Sequence, residues 1–302
     1  MEKIINEIMT KKIGDVIVDA NLSKYTTYKV GGIAKVLVYP KDIDKLIELM
    51  KIIKENDLKH FILGNGSNVL FSDNVYDGII IKLDNFNKLE FDSNKVLVGA
   101  GYNLIKLSNE AVKRGLSGLE FASGIPGTVG GAVFMNAGAY ESNMKQIVKS
   151  VKVLTPEYEV VEFTNKEMKF KYRESILQKN NHYICLEVLL ELTEGDKESL
   201  EEIVKDRKLK RKRTQPLEFP SAGSVFRNPE GMFAGKLIEE LDLKGYQVGG
   251  AKISEKHANF IINTGGAKAS DIKEIIDLVK RKVKKEYKIN LRVEQRLVNW
   301  DD

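Results

Sequence analysis

Ser123-Gly124-Ile125-Pro126-Gly127-Thr128-Val129-Gly130-Gly131 decides how this chain is read, because four glycines, a proline and two hydroxyls fall within nine residues. Glycine accepts backbone angles closed to other residues and lets the main chain approach a partner closely. Such density suits packing against a large flat ligand and its pyrophosphate; a packed turn between strands is the plain alternative. The segment lies in a wider glycine-rich region, since nine of the 24 glycines fall in residues 99–138. Asn136-Ala137-Gly138-Ala139 comes soon after. A second loop, Gly64-Asn65-Gly66-Ser67-Asn68, follows the short apolar strand His60–Leu63. Successive N–H groups in such a loop form an anion-binding nest, and an ordinary hairpin loop is again the alternative. It is not a Rossmann fingerprint: no third glycine follows, and Val69-Leu70-Phe71 reads as extended. It is not a phosphate-binding P-loop either, because Gly-Lys-Ser/Thr occurs nowhere in the chain.

Outward from these loops the pattern alternates. Ile4, Ile5 and Ile8 share one helical face. Strands are expected at 16–18 and 34–39, and Asp42 opens a helix with Ile43, Leu46, Ile47, Met50 and Ile53 at helical spacing. Further strands are expected at 78–83, 88–91 and 95–100, then a helix over 104–114 ended by Gly115. Residues 147–154, 159–163 and 183–192 read as strands. Residues 196–213 form a polar helix, acidic at its start and basic at its end as the helix dipole prefers. The remainder reads as strands at 251–253 and 258–263, a long helix over 270–287, and a closing strand over 291–298.

The chain has 302 residues, 42% hydrophobic and 30% charged, with a net charge of +5. That balance argues against disorder, and the length suggests roughly two domains. Cys185 is the single cysteine and cannot close an intrachain disulfide; in an apolar strand it reads as an inert core residue. No apolar run approaches the roughly 20 residues that span a bilayer. The start, MEKIINEIMTKK, has no continuous apolar core, so it does not read as a signal peptide, and a cytoplasmic protein is expected. Residues 1–194 carry 25 basic and 25 acidic side chains, whereas residues 195–302 carry 23 and 18. The whole excess therefore lies in the C-terminal third, a modest field suited to an anionic small molecule. The run Lys208-Leu-Lys-Arg-Lys-Arg213 lacks interleaved aromatics and reads as a solvated helix end rather than a nucleic-acid patch. His60, His182 and His257 sit apart from one another and from carboxylates at ligand spacing, so no metal is expected.

Six motifs, taken in order, resemble the UDP-N-acetylenolpyruvoylglucosamine reductase family. They are Ile62–Leu70, Gly118–Gly131, Asn136–Tyr140, Phe170-Lys-Tyr-Arg-Glu-Ser175, Ser221-Ala-Gly-Ser-Val-Phe-Arg-Asn-Pro229 and Val293-Glu-Gln-Arg296, and the likeness runs from about Tyr25 to Val298. It implies an α+β fold. A two-lobed FAD-binding domain of the vanillyl-alcohol oxidase and p-cresol methylhydroxylase type would occupy residues 1–194, with lobes of about 1–83 and 84–194. A C-terminal α+β substrate-binding domain would occupy 195–302, joined through the polar helix.

The resemblance also implies an activity: NADPH-dependent, FAD-mediated reduction of UDP-N-acetylglucosamine enolpyruvate to UDP-N-acetylmuramate in peptidoglycan biosynthesis. A hydride from reduced flavin N5 would go to C3 of the enolpyruvyl group. Ser224 would then protonate C2, while Arg173 and Glu294 stabilise the enolate. A permanently charged, planar guanidinium suits that role, and a carboxyl group can polarise or donate to the same oxygens. The flavin contacts would be Gly64, Asn65, Gly66, Ser67, Asn68, Ser123, Gly127, Thr128, Gly130, Asn136, Gly138 and Ala139, with Tyr28 in a segment resembling the first flavin strand. Tyr172, Asn228 and Gln247 match substrate positions, and Arg213 or its neighbour Arg211 would hold the diphosphate. FAD would be bound non-covalently by a monomer that needs neither nucleic acid nor membrane. The stretch between Tyr172 and Ser224 is short and lacks the insertion bearing a substrate-capping tyrosine, which places the chain with the shorter subclass. Gln295 stands where the family more often has valine.

Overall fold

The computed structural model describes residues 1–179 and 183–300, so His182 lies outside the described residues. The chain forms two units that interleave along the sequence. The first comprises Met1–Val18, Val36–Asn65 and Gly78–Leu209; the second comprises Asp19–Lys35, Gly66–Asp77 and Lys210–Asp302. A single division near residue 195 would fall inside the first unit. The reason lies in the polar helix Lys197–Thr214, which buries Leu200 and Val204 in a small cluster with Val112 and leaves Ile203 and Leu209 exposed. The early part of that helix therefore packs as a piece of the first unit and does not act as a free connector.

The first unit is built on a five-stranded sheet in the order Val160–Thr164, Val148–Leu154, Ile184–Glu191, Lys95–Gly99, Leu89–Asp92, with every neighbouring pair antiparallel. Val151 pairs with Val188 and Val188 with Val98, so three β-branched side chains form one buried row across the sheet. A four-stranded sheet runs in the order Gly14–Asn21, Ile33–Pro40, Tyr76–Ile81, Lys59–Ile62, its last pair parallel. The helix Ile43–Glu55 begins where Asp42 accepts a hydrogen bond from the Lys45 N–H at 2.8 Å, and it buries Leu46, Leu49, Met50, Ile52 and Ile53. The helix Leu104–Lys113 is capped in the same way by Asn103 and stops before Gly115, whose φ of +68° is a left-handed turn that glycine adopts without strain.

The second unit contains a three-stranded antiparallel sheet, Gln247–Val248, Ala251–Ile253 and Ile261–Asn263. The helix Ala269–Tyr287 packs on it and buries Ile272, Ile275, Ile276, Val279 and Val283 at helical spacing. Each such side chain contributes roughly 1.5–3 kcal/mol. The expected closing strand is shorter than its sequence suggests: Arg296–Val298 pairs in parallel with Val69–Phe71. The residues before it turn to another partner, with Phe226 bridging Val293, Arg227 N–H donating to Arg292 O and Glu294 N–H donating to Val225 O. Among the described residues, no helix is long and apolar enough to cross a membrane.

Candidate functional site

In the first unit the two glycine loops meet. The Gly64 loop ends the strand Lys59–Ile62, and a Cβ on Gly64 would stand 2.7 Å from Thr128 Oγ1. Thr128 is itself placed by Asn103, to which it forms an isolated bridge, and by Gly127, whose carbonyl accepts from Leu104 N–H. The Val129–Phe134 stretch is a short helix that its sequence, Val-Gly-Gly-Ala-Val-Phe, does not announce, since glycine and valine are poor helix formers. It forms because Thr128 Oγ1 accepts from Gly131 N–H and because Gly130 N–H donates to Ala100 O. A Cβ on Gly130 would lie 2.9 Å from Ala100 Cβ. Packing alone accounts for this glycine.

Lys82 was not among the residues the sequence singled out. Its side chain is only 8% exposed, and Nζ donates to Gly64 O at 2.9 Å while pairing with Asp84 at 3.2 Å. A charge-assisted bond to a loop carbonyl fixes the main chain strongly. A lysine at the end of an ordinary strand carries no sequence signal of this.

Asn136 adopts φ +40° and is 5% exposed. Its amide donates to Lys171 O and its oxygen accepts from Lys145 N–H. This brings the Asn136–Ala139 loop beside the turn that carries Tyr172 and Arg173. Lys171 and Glu174 exchange backbone hydrogen bonds around that turn, with Arg173 in the left-handed region at φ +56°. Such a conformation costs a non-glycine residue about 1 kcal/mol or more. Tyr172 is 55% exposed, with the Arg173 guanidinium 5.2 Å from its ring centre. Gly138–Ala139 pairs with Ser142–Asn143 around a two-residue turn, Tyr140-Glu141, both left-handed, and the Arg207 guanidinium lies 4.7 Å over the Tyr140 ring. Ser123 is buried, its hydroxyl donating to Glu120 O.

In the second unit, the pairing of residues 225–227 with 292–294 sets Ser224 and Glu294 on adjoining stretches of main chain. Asn259 holds this arrangement from behind. Its Nδ2 donates to Phe226 O, its Oδ1 accepts from Phe226 N–H and its carbonyl accepts from Val225 N–H. Both Ser224 and Glu294 are half-buried. Asn68 Nδ2 donates to Glu294 O at 3.2 Å, and Asn68 O accepts from Arg296 N–H, so this loop residue braces the same stretch. A Cβ on Gly66 would lie 2.2 Å from Tyr25 O, and its φ of +63° is left-handed; local packing explains this glycine too. Asn65 and Ser67 are half-buried on either side of it. Asn228 is exposed, and its Oδ1 accepts from Ala234 N–H at the start of the helix Ala234–Glu239. Gln247 is exposed in its short strand, and Arg213 is exposed near the end of the helix Lys197–Thr214, where Arg211 Nε donates to Gln215. Tyr28 does not present its side chain to a ligand. It is fully buried in the core of the second unit, its phenol faces Gln295, and burial raises its pKa well above the usual tyrosine range.

Cys185 is buried and its thiol is pushed up to about 12 by burial, so it is an unreactive core residue. Among the described residues no group of three or more His, Cys, Asp or Glu side chains could hold a metal ion. A Cβ on Gly64 would press on Thr128 Oγ1, so the close approach of these two loops requires a residue without a side chain at this position.

Family comparisons agree with this geometry. Residues 34–164 match the FAD binding domain family, and residues 215–298 match the family described as UDP-N-acetylenolpyruvoylglucosamine reductase, C-terminal domain. The UDP-N-acetylenolpyruvoylglucosamine reductase of Bacillus subtilis is 45% identical over 299 residues, covering 99% of each chain. That of Halalkalibacterium halodurans is 47% identical with the same coverage. The crystal structure of the reductase (MurB) from Thermus caldophilus superposes with a TM-score of 0.80 at 36% identity, over 94% of this chain and 98% of that one. The α+β chain, with its FAD-binding domain and family-specific C-terminal domain, therefore belongs to the UDP-N-acetylenolpyruvoylglucosamine reductase family of flavin-dependent oxidoreductases.

Proposed function

We propose that this chain reduces UDP-N-acetylglucosamine enolpyruvate to UDP-N-acetylmuramate in the cytoplasm, with NADPH as electron donor, and that it works as a monomer. The observation that carries the reading is the likeness to named reductases along 99% of the chain. The pairing of the Ser224 and Glu294 segments supports it.

The first unit would hold FAD through Gly64, Asn65, Ser123, Gly127, Thr128, Gly130, Asn136, Gly138 and Ala139, with Gly66, Ser67 and Asn68 continuing the loop. The C-terminal residues would hold the substrate. When bound, FAD reduced by NADPH supplies the hydride that C3 of the enolpyruvyl group accepts. Charge then gathers on the substrate carboxylate and C2. Arg173, permanently cationic and held in a strained turn, would meet that charge. Glu294 would polarise the same oxygens, and the Ser224 hydroxyl would deliver the proton to C2. Tyr172, Asn228 and Gln247 would contact the substrate, and Arg213 or Arg211 its diphosphate.

The absorbance spectrum tests this reading. The purified protein should be yellow, lose its flavin absorbance with NADPH and regain it when the enolpyruvyl substrate is added. A colourless protein that takes up no FAD overturns it.

A further inference from the structure

Gln295 is the one residue of the Val293–Arg296 motif whose side chain is fully inside, 3% exposed. The antiparallel register set by the Phe226–Val293 bridge and the Glu294 to Val225 hydrogen bond carries it opposite Ser224. Its Nε2 lies 3.2 Å from Ala222 O and 3.4 Å from Gly223 O, the two carbonyls that precede Ser224. The Tyr28 hydroxyl is 3.1 Å from both atoms of the amide. Carbonyls only accept, so the amide must turn its NH₂ to the loop, and Oε1 then accepts from the phenol. Tyr28 is in turn held where Asn263 Nδ2 donates to its carbonyl, which links the pair to the three-stranded sheet of this unit. A buried amide and a buried phenol are costly unless paired, and here both are.

What the pair acts on is the short Gly223-Ser224 link between two core residues, Ala222 and Val225. Gly223 has φ +72°, and a Cβ there would meet nothing within 4 Å. One primary amide binds the carbonyls of both peptide units that flank the Gly223 Cα. A proton donor is effective only within hydrogen-bond reach of its target, and small misplacements are expensive. Valine at position 295 would fill the same space without a donor or an acceptor.

We infer that Gln295, oriented by Tyr28, is a positioning residue that sets the Ala222-Gly223-Ser224 peptide planes and through them the direction of the Ser224 hydroxyl. This rests on the reading of Ser224 as proton donor.

Four forms of the FAD-loaded enzyme separate the possibilities: Gln295→Met, Tyr28→Phe, Ser224→Ala and the double variant Ser224→Ala/Gln295→Met. Rapid mixing measures flavin reduction by NADPH and flavin reoxidation by substrate separately. Gln295→Met should slow reoxidation by about 10- to 100-fold and leave reduction within about twofold. Tyr28→Phe, which removes a single oxygen and keeps the core filled, should slow the same step less. In the Ser224→Ala background, Gln295→Met should add no further slowing, because a residue that acts through Ser224 has nothing left to act on. A readout independent of turnover is amide hydrogen exchange, which should speed up in residues 222–225 of Gln295→Met. Equal slowing of both half-reactions, normal reoxidation in Gln295→Met and Tyr28→Phe, or a full additional loss in the double variant overturns the positioning role. Normal reoxidation by Ser224→Ala overturns instead the proton-donor reading, and the positioning role with it.

Discussion

The Asp73 carboxylate caps the helix that begins at Ala269, accepting from the Ala269 N–H at 2.8 Å and from the Ser270 N–H at 2.9 Å. The helix's own first turn offers Asp271, which accepts from Lys268 N–H and also from Gly250 N–H. A negative group at a helix start satisfies orphan donors and favours the dipole. Asp73→Ala should therefore lower stability by about 1 kcal/mol, and Asp73→Asn by less, since the amide oxygen still accepts. Chemical denaturation of the purified variants measures both.

Gly64→Ala tests the meeting of the two glycine loops. The new Cβ would press on Thr128 Oγ1, the atom that caps the Val129–Phe134 helix. The variant should lose about 1–3 kcal/mol of stability and purify with less flavin. The ratio of flavin to protein absorbance and the thermal midpoint check this together. Full flavin content at unchanged stability would separate the two loops.

Ser224→Ala should leave NADPH reduction of the flavin intact. Reoxidation by substrate should slow by about 10²–10⁴-fold, the usual contribution of a positioned proton donor. Stopped-flow traces at the flavin band report the two steps separately.

His257 gives a pH dependence. Burial holds its pKa below the usual 6.5, and the Lys244 ammonium adds to this, while its own backbone hydrogen bond and Glu239 pull the other way. Its Nδ1 accepts from Asn259 N–H at 3.2 Å, and Asn259 carries the Val225–Phe226 stretch. The unfolded chain takes up this proton at a higher pH than the folded one does. Stability is therefore full above the ordinary histidine range and lost as pH falls below about 6.5 through the lowered folded value. The melting temperature should fall less steeply between about pH 7 and 5 in His257→Gln than in the parent protein.

Local signals made much of the molecule legible. Apolar spacing after Asp42 located the helix Ile43–Glu55, the stop at Gly115 bounded the helix Leu104–Lys113, and the strands expected at 95–100, 147–154 and 183–192 contain Val98, Val151 and Val188. The glycine loops and the ordered motifs pointed to the family that the relatives then showed. What stayed hidden depends on distant partners. The Val129–Phe134 helix is held by Thr128 and Ala100 against its own poor propensity. The stretch before Arg296 leaves its expected strand because residues 225–227 claim its backbone. Lys82 and Gln295 look unremarkable in sequence, and each matters through carbonyls elsewhere in the chain. Tyr28 looked like a ligand-facing aromatic and is a core residue, since nothing in its neighbours reveals that Gln295 waits for its hydroxyl.

The interleaving of the two units has a consequence for how the protein is made. Tyr28, Val30 and Leu70 leave the ribosome early, yet the core they belong to is otherwise supplied by Ala222 through Leu291. The strand Val69–Phe71 likewise finds its partner only when Arg296–Val298 has been synthesised. The second unit is thus completed last, from segments far apart in the sequence, and a fragment beginning at Lys210 would lack the Asp73 cap and part of its own core. Those early apolar residues find their native partners only once residues 210–298 have been synthesised, so the second unit cannot fold in step with the order in which its pieces are made.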